Sequence, residues 1–245
     1  MNRYKSIILI ITISIFSFPH WAQKKDLFEK ISTEITDHIK SYEVLYKHLH
    51  QNPELSFMEF ETSKRMAQEL STLGFDVTTN FGGNSVVGVY KNGEGNTLLL
   101  RTDMDALPIL EKTGFIFASK VRAKDNTGIE LPVMHACGHD VHMTVWVGVA
   151  NTLVKLKNYW KGTLIMVEPT MAGEDFGNYG KIPEKVPVFM FWVGVVSHED
   201  LVNNKKNGTD LPPLHSPKFA PDYLKTIKTG IKAMSSAAIR LLNGN

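Results

Sequence analysis

The stretch Thr97-Leu-Leu-Leu-Arg-Thr-Asp-Met-Asp-Ala-Leu-Pro108 runs from three consecutive leucines into two acids spaced two residues apart. An apolar run of this length ending in polar turn formers reads as a buried strand that empties into a loop. Because it carries no charge before Arg101, the strand is expected at the centre of a sheet. Ligand sites in α/β sheets favour the carboxyl ends of strands, which is where Asp103 and Asp105 fall. Either acid suits a metal or the second nitrogen of a ligand histidine. Taken alone, the pair reads equally as turn formers or helix caps.

Upstream, Ser85-Val-Val-Gly-Val-Tyr90 and an Asn92-Gly93 turn suggest that this strand closes a hairpin. Further back, Leu27, Phe28, Ile31, Ile35, Ile39, Leu45 and Leu49 recur at helical spacing, predicting a helix over 26–50 that Asn52-Pro53 ends. A second helix is expected from Ser56, with Glu59 as its capping-box partner, to Leu73 and the stop residue Gly74. Downstream, Val141, Val145, Val149, Leu153 and Leu156 form one stripe of a helix over 140–157. Gly162-Thr-Leu-Ile-Met-Val167 and Val186-Pro-Val-Phe-Met-Phe-Trp-Val193 read as buried strands, and a last helix follows Pro221 to Leu242. Intermixed helices and apolar strands predict an α/β fold, a layered mixed sheet flanked by helices.

The chain has 245 residues, 43% of them hydrophobic, which is the make-up of a globular protein and not of a disordered chain or coiled coil. Its start differs: Arg3 and Lys5 precede an uncharged apolar run from Ser6 to Phe18, followed by Pro19 and Trp21-Ala22-Gln23. That is the layout of a secretory signal peptide, expected at 1–22, with 23–245 as one domain in a secreted or periplasmic protein. The alternative is a membrane anchor, but the run is shorter than the ~20 apolar residues a span requires, so no stable membrane span is expected. Removing Arg3 and Lys5 takes the 27 basic residues to 25, matching the 25 acidic ones, so no basic field argues for nucleic acid. A single cysteine, Cys137, excludes an internal disulfide.

The densest chemistry lies in Met134-His-Ala-Cys-Gly-His-Asp-Val-His142, where a thiol, three imidazoles and a carboxylate gather just before a helix. Thiolate and neutral imidazole are preferred zinc donors, and Gly138 relaxes the backbone so that Cys137 and His139 can converge. The bland alternative is a packed cysteine with capping histidines. His215, in Leu214-His-Ser-Pro-Lys-Phe219, reads by itself as an exposed loop residue. Gly173-Glu-Asp-Phe176 reads by itself as a turn with N-terminal helix capping.

Together and in order, the segments Leu49–Ser56, Arg101–Pro108, His135–Asp140, Trp160–Leu164, Gly173–Phe176 and Leu214–Pro217 resemble the M20 metallopeptidase family, in its branch of hippurate-type and auxin-conjugate-type amidohydrolases. The resemblance implies metal-dependent hydrolysis of N-acyl amino acids or small peptides. It implies up to two divalent ions (zinc, manganese or cobalt), with Cys137, His139 and His215 as ligands and Asp103 as a supporting catalytic residue. In such chemistry the ions polarise the amide carbonyl and acidify a bound water, whose proton a glutamate removes.

The sequence also departs from the family pattern. The family's strand matching 162–167 leads into a segment with adjacent glutamates, the base and a ligand. This chain has no adjacent glutamates, and no histidine between His142 and His198. After Val167 it passes to Glu168-Pro-Thr-Met-Ala-Gly-Glu-Asp-Phe176, which resembles a later part of the family. An internal deletion with its junction at 166–168 is therefore expected, leaving one truncated catalytic domain without the satellite domain that mediates dimerisation. One ion or none is expected here, and Glu168 and Glu174 are the candidate substitute bases. Two functional readings stay open: an amidohydrolase with impaired activity, and a noncatalytic remnant that binds a metal without turnover.

Overall fold

The computed structural model describes residues 19–168, 177, 178, 180–184 and 186–244. Helix α1 spans Pro19–Gln51 and α2 Phe60–Thr72; strands β1, β2 and β3 cover Asp76–Thr78, Val86–Asn92 and Thr97–Arg101. A small ribbon of β4 (Arg122–Lys124) and β5 (Glu130–Pro132) precedes α3 (His139–Lys155) and a 3-10 turn at Lys157–Tyr159. Strand β6 (Gly162–Glu168), α4 (His198–Asn207) and α5 (Tyr223–Leu242) follow. The α/β expectation holds, with a mixed four-stranded sheet ordered β1-β2-β6-β3.

Helix α1 begins before the expected start at Asp26 and runs through the 22/23 boundary. Residues 1–18, most of the expected signal peptide, lie outside the described residues. No helix among the described residues is long and apolar enough to cross a membrane.

Helices α1, α3 and α5 pack on one another and on the sheet face carrying Val86, Leu164 and Met166, while α2 lies over β2. Trp146, Trp160, Tyr46, Ile31 and Leu49 are fully buried in this layer. Trp146 Nε1 donates to the Leu100 carbonyl at 3.1 Å and Trp160 Nε1 to that of Leu153 at 2.9 Å, so each indole buries its ring with its polar atom satisfied. The opposite sheet face, with Val87, Val89, Ile165 and Val167, is only half buried.

Four local expectations are corrected. β2 and β3 are not a hairpin, because β6 inserts between them, antiparallel to β2 (Val87 opposite Val167) and parallel to β3 (Leu99 opposite Ile165). The link 93–96 bridges two strand spacings, about 10 Å, which four residues can span. β3 is therefore at the sheet edge, not its centre, with Leu99 exposed. Val186–Val193 forms no strand, and Phe189 and Trp192 are 73% and 82% exposed. Finally, α2 starts at Phe60 without a Ser56–Glu59 capping box. Glu59 is instead buried and accepts hydrogen bonds from Phe57 N at 3.0 Å and Asn84 Nδ2 at 3.3 Å.

Gly162 is fixed by the crossing. Its φ is 120°, and a Cβ there would overlap the Asn96 carbonyl oxygen, which itself accepts from Thr163 N at 2.9 Å. Gly162→Ala is expected to destabilise the protein by about 2–4 kcal/mol through backbone strain and overlap together. Urea denaturation of the two proteins measures this as a lowered midpoint at unchanged slope.

Candidate active site

Three backbone ties bring the sequence-singled segments together. Thr102 N donates to Val167 O at 3.2 Å, holding the start of the acid loop against β6. Ala106 N donates to Glu54 O at 2.8 Å, and Leu107 and Met134 exchange a pair of 2.9 Å hydrogen bonds. The 101–108 loop is thus held between the 52–56 turn and the 134–140 loop. Glu54 also receives Glu61 N at 3.1 Å and Thr62 N at 2.7 Å, so its carboxylate satisfies amide groups that begin α2.

Cys137 and His215, distant in sequence, meet in space: Sγ lies 2.6 Å from Nε2. His215 N donates to Ala136 O at 2.9 Å, and His215 adopts a left-handed φ of 65°. Gly138, with φ 78°, turns the chain between Cys137 and His139 as α3 begins. Residues 134–136 pack with Phe219, just beyond the His215 loop.

His139 is oriented by Asp105, its Nδ1 lying 2.8 Å from the Asp105 carbonyl and 3.0 Å from its Oδ1. Burial works against charge on His139. Hydrogen bonds with Asp105 and Cys137, and the nearby carboxylates of Asp103 and Asp105, outweigh it and hold the imidazole pKa well above its ordinary value. Asp103 instead faces Arg101, whose Nη2 and Nη1 approach its two oxygens at 2.6 and 3.1 Å. His142 Nδ1 stands 3.7 Å from Asp103 Oδ2. Burial raises the Asp103 pKa against the opposing charges of His139 and Arg101. His135, in the same loop, has both ring nitrogens buried without a partner among the described residues, and burial depresses its pKa to about 4, which keeps it neutral at neutral pH.

A cluster not anticipated from the sequence lies behind α3. His50 donates through Nδ1 to Asp140 Oδ2 at 2.7 Å and through Nε2 to Glu111 Oε1 at 3.0 Å, with all three side chains at most 2% exposed. Glu111 also accepts from Ser119 N at 2.6 Å and from the Thr113 hydroxyl. Burial opposes charge on His50, but the two carboxylates raise its pKa to about 9. His50 and Asp140 fall within the segments Leu49–Ser56 and His135–Asp140 singled out by the family resemblance, but nothing in the sequence joins them to Glu111.

The donor chemistry of Cys137, His139 and His215 suits zinc, yet their arrangement does not. Zinc donors at about 2.3 Å (sulfur) and 2.0–2.1 Å (nitrogen) in tetrahedral geometry stand about 3.5 Å apart, whereas Sγ and Nε2 are in direct contact at 2.6 Å. Among the described residues, no three His, Cys, Asp or Glu side chains are placed to hold a metal ion. Of the candidate bases, Glu174 and the side chain of Glu168 lie outside the described residues.

Known proteins share this framework. Residues 99–167 match the model of peptidase family M20/M25/M40. Thermostable carboxypeptidase 2 of Saccharolobus solfataricus is 38% identical over 181 residues, which are 72% of this chain and 42% of that protein. The hippurate hydrolase of Campylobacter jejuni is 44% identical over 112 residues, 45% of this chain and 27% of its own. A chain described as an aminohydrolase from methicillin resistant Staphylococcus aureus, 34% identical, superposes with a TM-score of 0.51 over 57% of this chain and 34% of that one. The chain thus spans about two fifths of the length of the carboxypeptidase it matches.

The buried His50 cluster makes stability depend on pH. Because the folded pKa of about 9 lies above the ordinary 6.5, the contribution of His50 is complete below pH 6.5 and is lost as pH rises through about 9. The expected loss is on the order of 3 kcal/mol. Urea titrations across this window should show the fall in the parent protein and its absence in His50→Gln, which is less stable already at the acid end.

Proposed function

We propose that this chain, which matches the M20 peptidase family model through residues 99–167, is a metal-dependent amidohydrolase by descent whose turnover of N-acyl amino acids or small peptides is severely impaired. The observation that carries this reading is the Cys137–His215 contact, set beside the Asp105–His139 pair and the Arg101–Asp103 pair on one loop framework. The residues that the family resemblance implies for a hydrolytic site are gathered, but in direct contact with one another and not around a vacant centre. Asp105 fixes the ring of His139 and Arg101 fixes Asp103, so orientation persists. The adjacent glutamates that would extend from β6 have no counterpart in the sequence. One ion or none is the occupancy we propose, and the satellite dimerisation domain is proposed to be absent. A noncatalytic remnant that holds one metal weakly is favoured if His215 swings away from Cys137 by about 1 Å, enough to reach the donor separation that zinc requires.

Export is proposed from the basic, then apolar, amino-terminal pattern; amino-terminal sequencing of protein recovered outside the cytoplasm should find a start near Gln23 or Lys24, and an intact Met1 in the membrane fraction overturns it.

Turnover of N-acetyl and N-benzoyl amino acids should be near background in the presence of zinc, cobalt or manganese. Loss of a general base alone accounts for about 10²–10⁴ in rate. Robust hydrolysis abolished by both Glu168→Gln and Cys137→Ala overturns the impaired reading and assigns the base to Glu168. Titration with the three metals distinguishes a binding remnant from a chain that binds none.

A further inference from the structure

Between Leu107 and Ser119 the chain leaves one place and returns to it. Leu107 and Met134 exchange backbone hydrogen bonds, and the Ser119 hydroxyl donates to the carbonyl of Val133, the residue before Met134, at 2.7 Å. Ends that meet in this way make the segment an Ω-loop, a compact excursion packed by its own side chains. Phe115 and Phe117 do that packing, with ring centroids 5.8 and 5.3 Å from that of His50.

Two consecutive residues of this loop hold different parts of the molecule. Glu111 turns inward, where its buried carboxylate accepts from His50 Nε2, from Ser119 N and from the Thr113 hydroxyl. Lys112 N donates to the Pro217 carbonyl at 2.7 Å, and among the described residues this is the only backbone hydrogen bond between the Ω-loop and the 213–217 loop. Glu111 and Lys112 share one peptide plane, so whatever fixes the first aims the N–H of the second.

His215 stands two residues before Pro217, with φ 65°. A left-handed backbone at a residue other than glycine persists only where its surroundings over-determine it. On the near side of the bend His215 N is tied to Ala136 O at 2.9 Å, and on the far side Pro217 O is tied to Lys112 N. Phe219, packed on Met134 and Ala136, holds the chain beyond. The Lys112 tie is the one that reaches the buried ion cluster of His50, Asp140 and Glu111.

We propose that Glu111 is a positioning residue for His215: its buried carboxylate seats the Ω-loop, Lys112 N–H then grips Pro217, and the grip keeps His215 in its left-handed conformation with Nε2 against Cys137 Sγ. Replacing the carboxylate leaves Ser119 N without its charged acceptor and His50 with one carboxylate in place of two. A loop that loses its buried anchor opens at lower free energy than the strands beside it. Relieved of the grip, His215 relaxes towards extended backbone and its ring leaves the thiol. The proposal concerns the contact itself and does not depend on whether the chain hydrolyses amides.

The test is native-state hydrogen exchange by NMR on the full chain, with the His215 ring resonances followed alongside. In the parent protein the amides of Lys112, Ser119 and His215 should open as one unit, with common protection and a common dependence on urea, while those of β6 open more rarely. In Glu111→Gln, which keeps the shape and removes the charge, exchange at these three amides should speed up by at least about tenfold with β6 unchanged. The His215 ring signals should move towards those of Cys137→Ala, in which the contact is gone. The ring signals are decisive, because a residue that serves only stability leaves the native surroundings of His215 as they were. Loosening of Lys112 and Ser119 with the His215 amide and ring unchanged overturns the proposal, as do the absence of any loosening and a uniform loosening that includes β6. If Glu111→Gln fails to fold, the parent protein decides: a His215 amide that opens independently of Lys112 and Ser119 also overturns it.

Discussion

The insertion of β6 between β2 and β3 is the constraint on which the remaining architecture depends. β6 pairs with β2 along seven residues and with β3 along five, so it is the strand through which the two halves of the sheet are joined. Its influence reaches past the sheet. Val167, near the end of β6, lies opposite Arg101 and accepts from Thr102 N, so the acid loop leaves the sheet from a backbone position that β6 sets. That loop then aligns with Glu54 on one side and Met134 on the other, and the 134–140 loop it supports delivers Cys137 and His139 to the start of α3.

Helices were legible because a 3.6-residue period is written locally, and α3 and α5 fall within a few residues of the spans that their stripes suggest. Strand adjacency was not. Asn92-Gly93 carries a true turn signal, but a turn formula does not reveal that a strand arriving much later will separate the two strands it joins. Composition misled twice in the same way. Leucines in β3 and aromatics in 186–193 report a preference for burial, and burial requires a partner whose presence the local sequence does not encode. α4 was overlooked although Ser197 and Asp200 spell a cap, with Asp200 N donating to Ser197 Oγ at 3.1 Å. At the site, the density of His135–His142 made the loop conspicuous, and the meeting of Cys137 with His215 was anticipated from family order. Which of two acids serves His139 was not: Asp105, two positions beyond Asp103, is the one that meets it.

The buried histidines show how differently one side chain behaves when its surroundings change. His50, set between Asp140 and Glu111, is held protonated by two carboxylates. His135, in the same region of the molecule, has no partner among the described residues and is held neutral by desolvation. Asp140 connects the first of these environments to the 134–140 loop, because it follows His139 directly and takes its proton donor from α1. The loop is therefore braced from behind by an ion cluster, while at its front Cys137 meets His215, whose own loop is tied by His215 N to Ala136 O, by Lys112 N to Pro217 O at 2.7 Å and by Phe219 packed on Met134 and Ala136.

What a fold requires and what a hydrolytic site requires differ. The pairings that define the sheet are complete by Glu168, and the helices that cover it are supplied from both ends of the chain, with α1 and α5 packing against α3. A hydrolytic reaction asks more than a sheet does, because a general base must be delivered to within hydrogen-bond reach of the proton it removes, and a donor set must be spaced by the ion it holds. In this chain the Cys137 thiol and the His215 imidazole satisfy one another directly, as two polar groups brought together by one framework do. The sheet is thus fixed by pairings that end at Glu168, whereas the Cys137–His215 contact depends on the loops that precede α3 and α5.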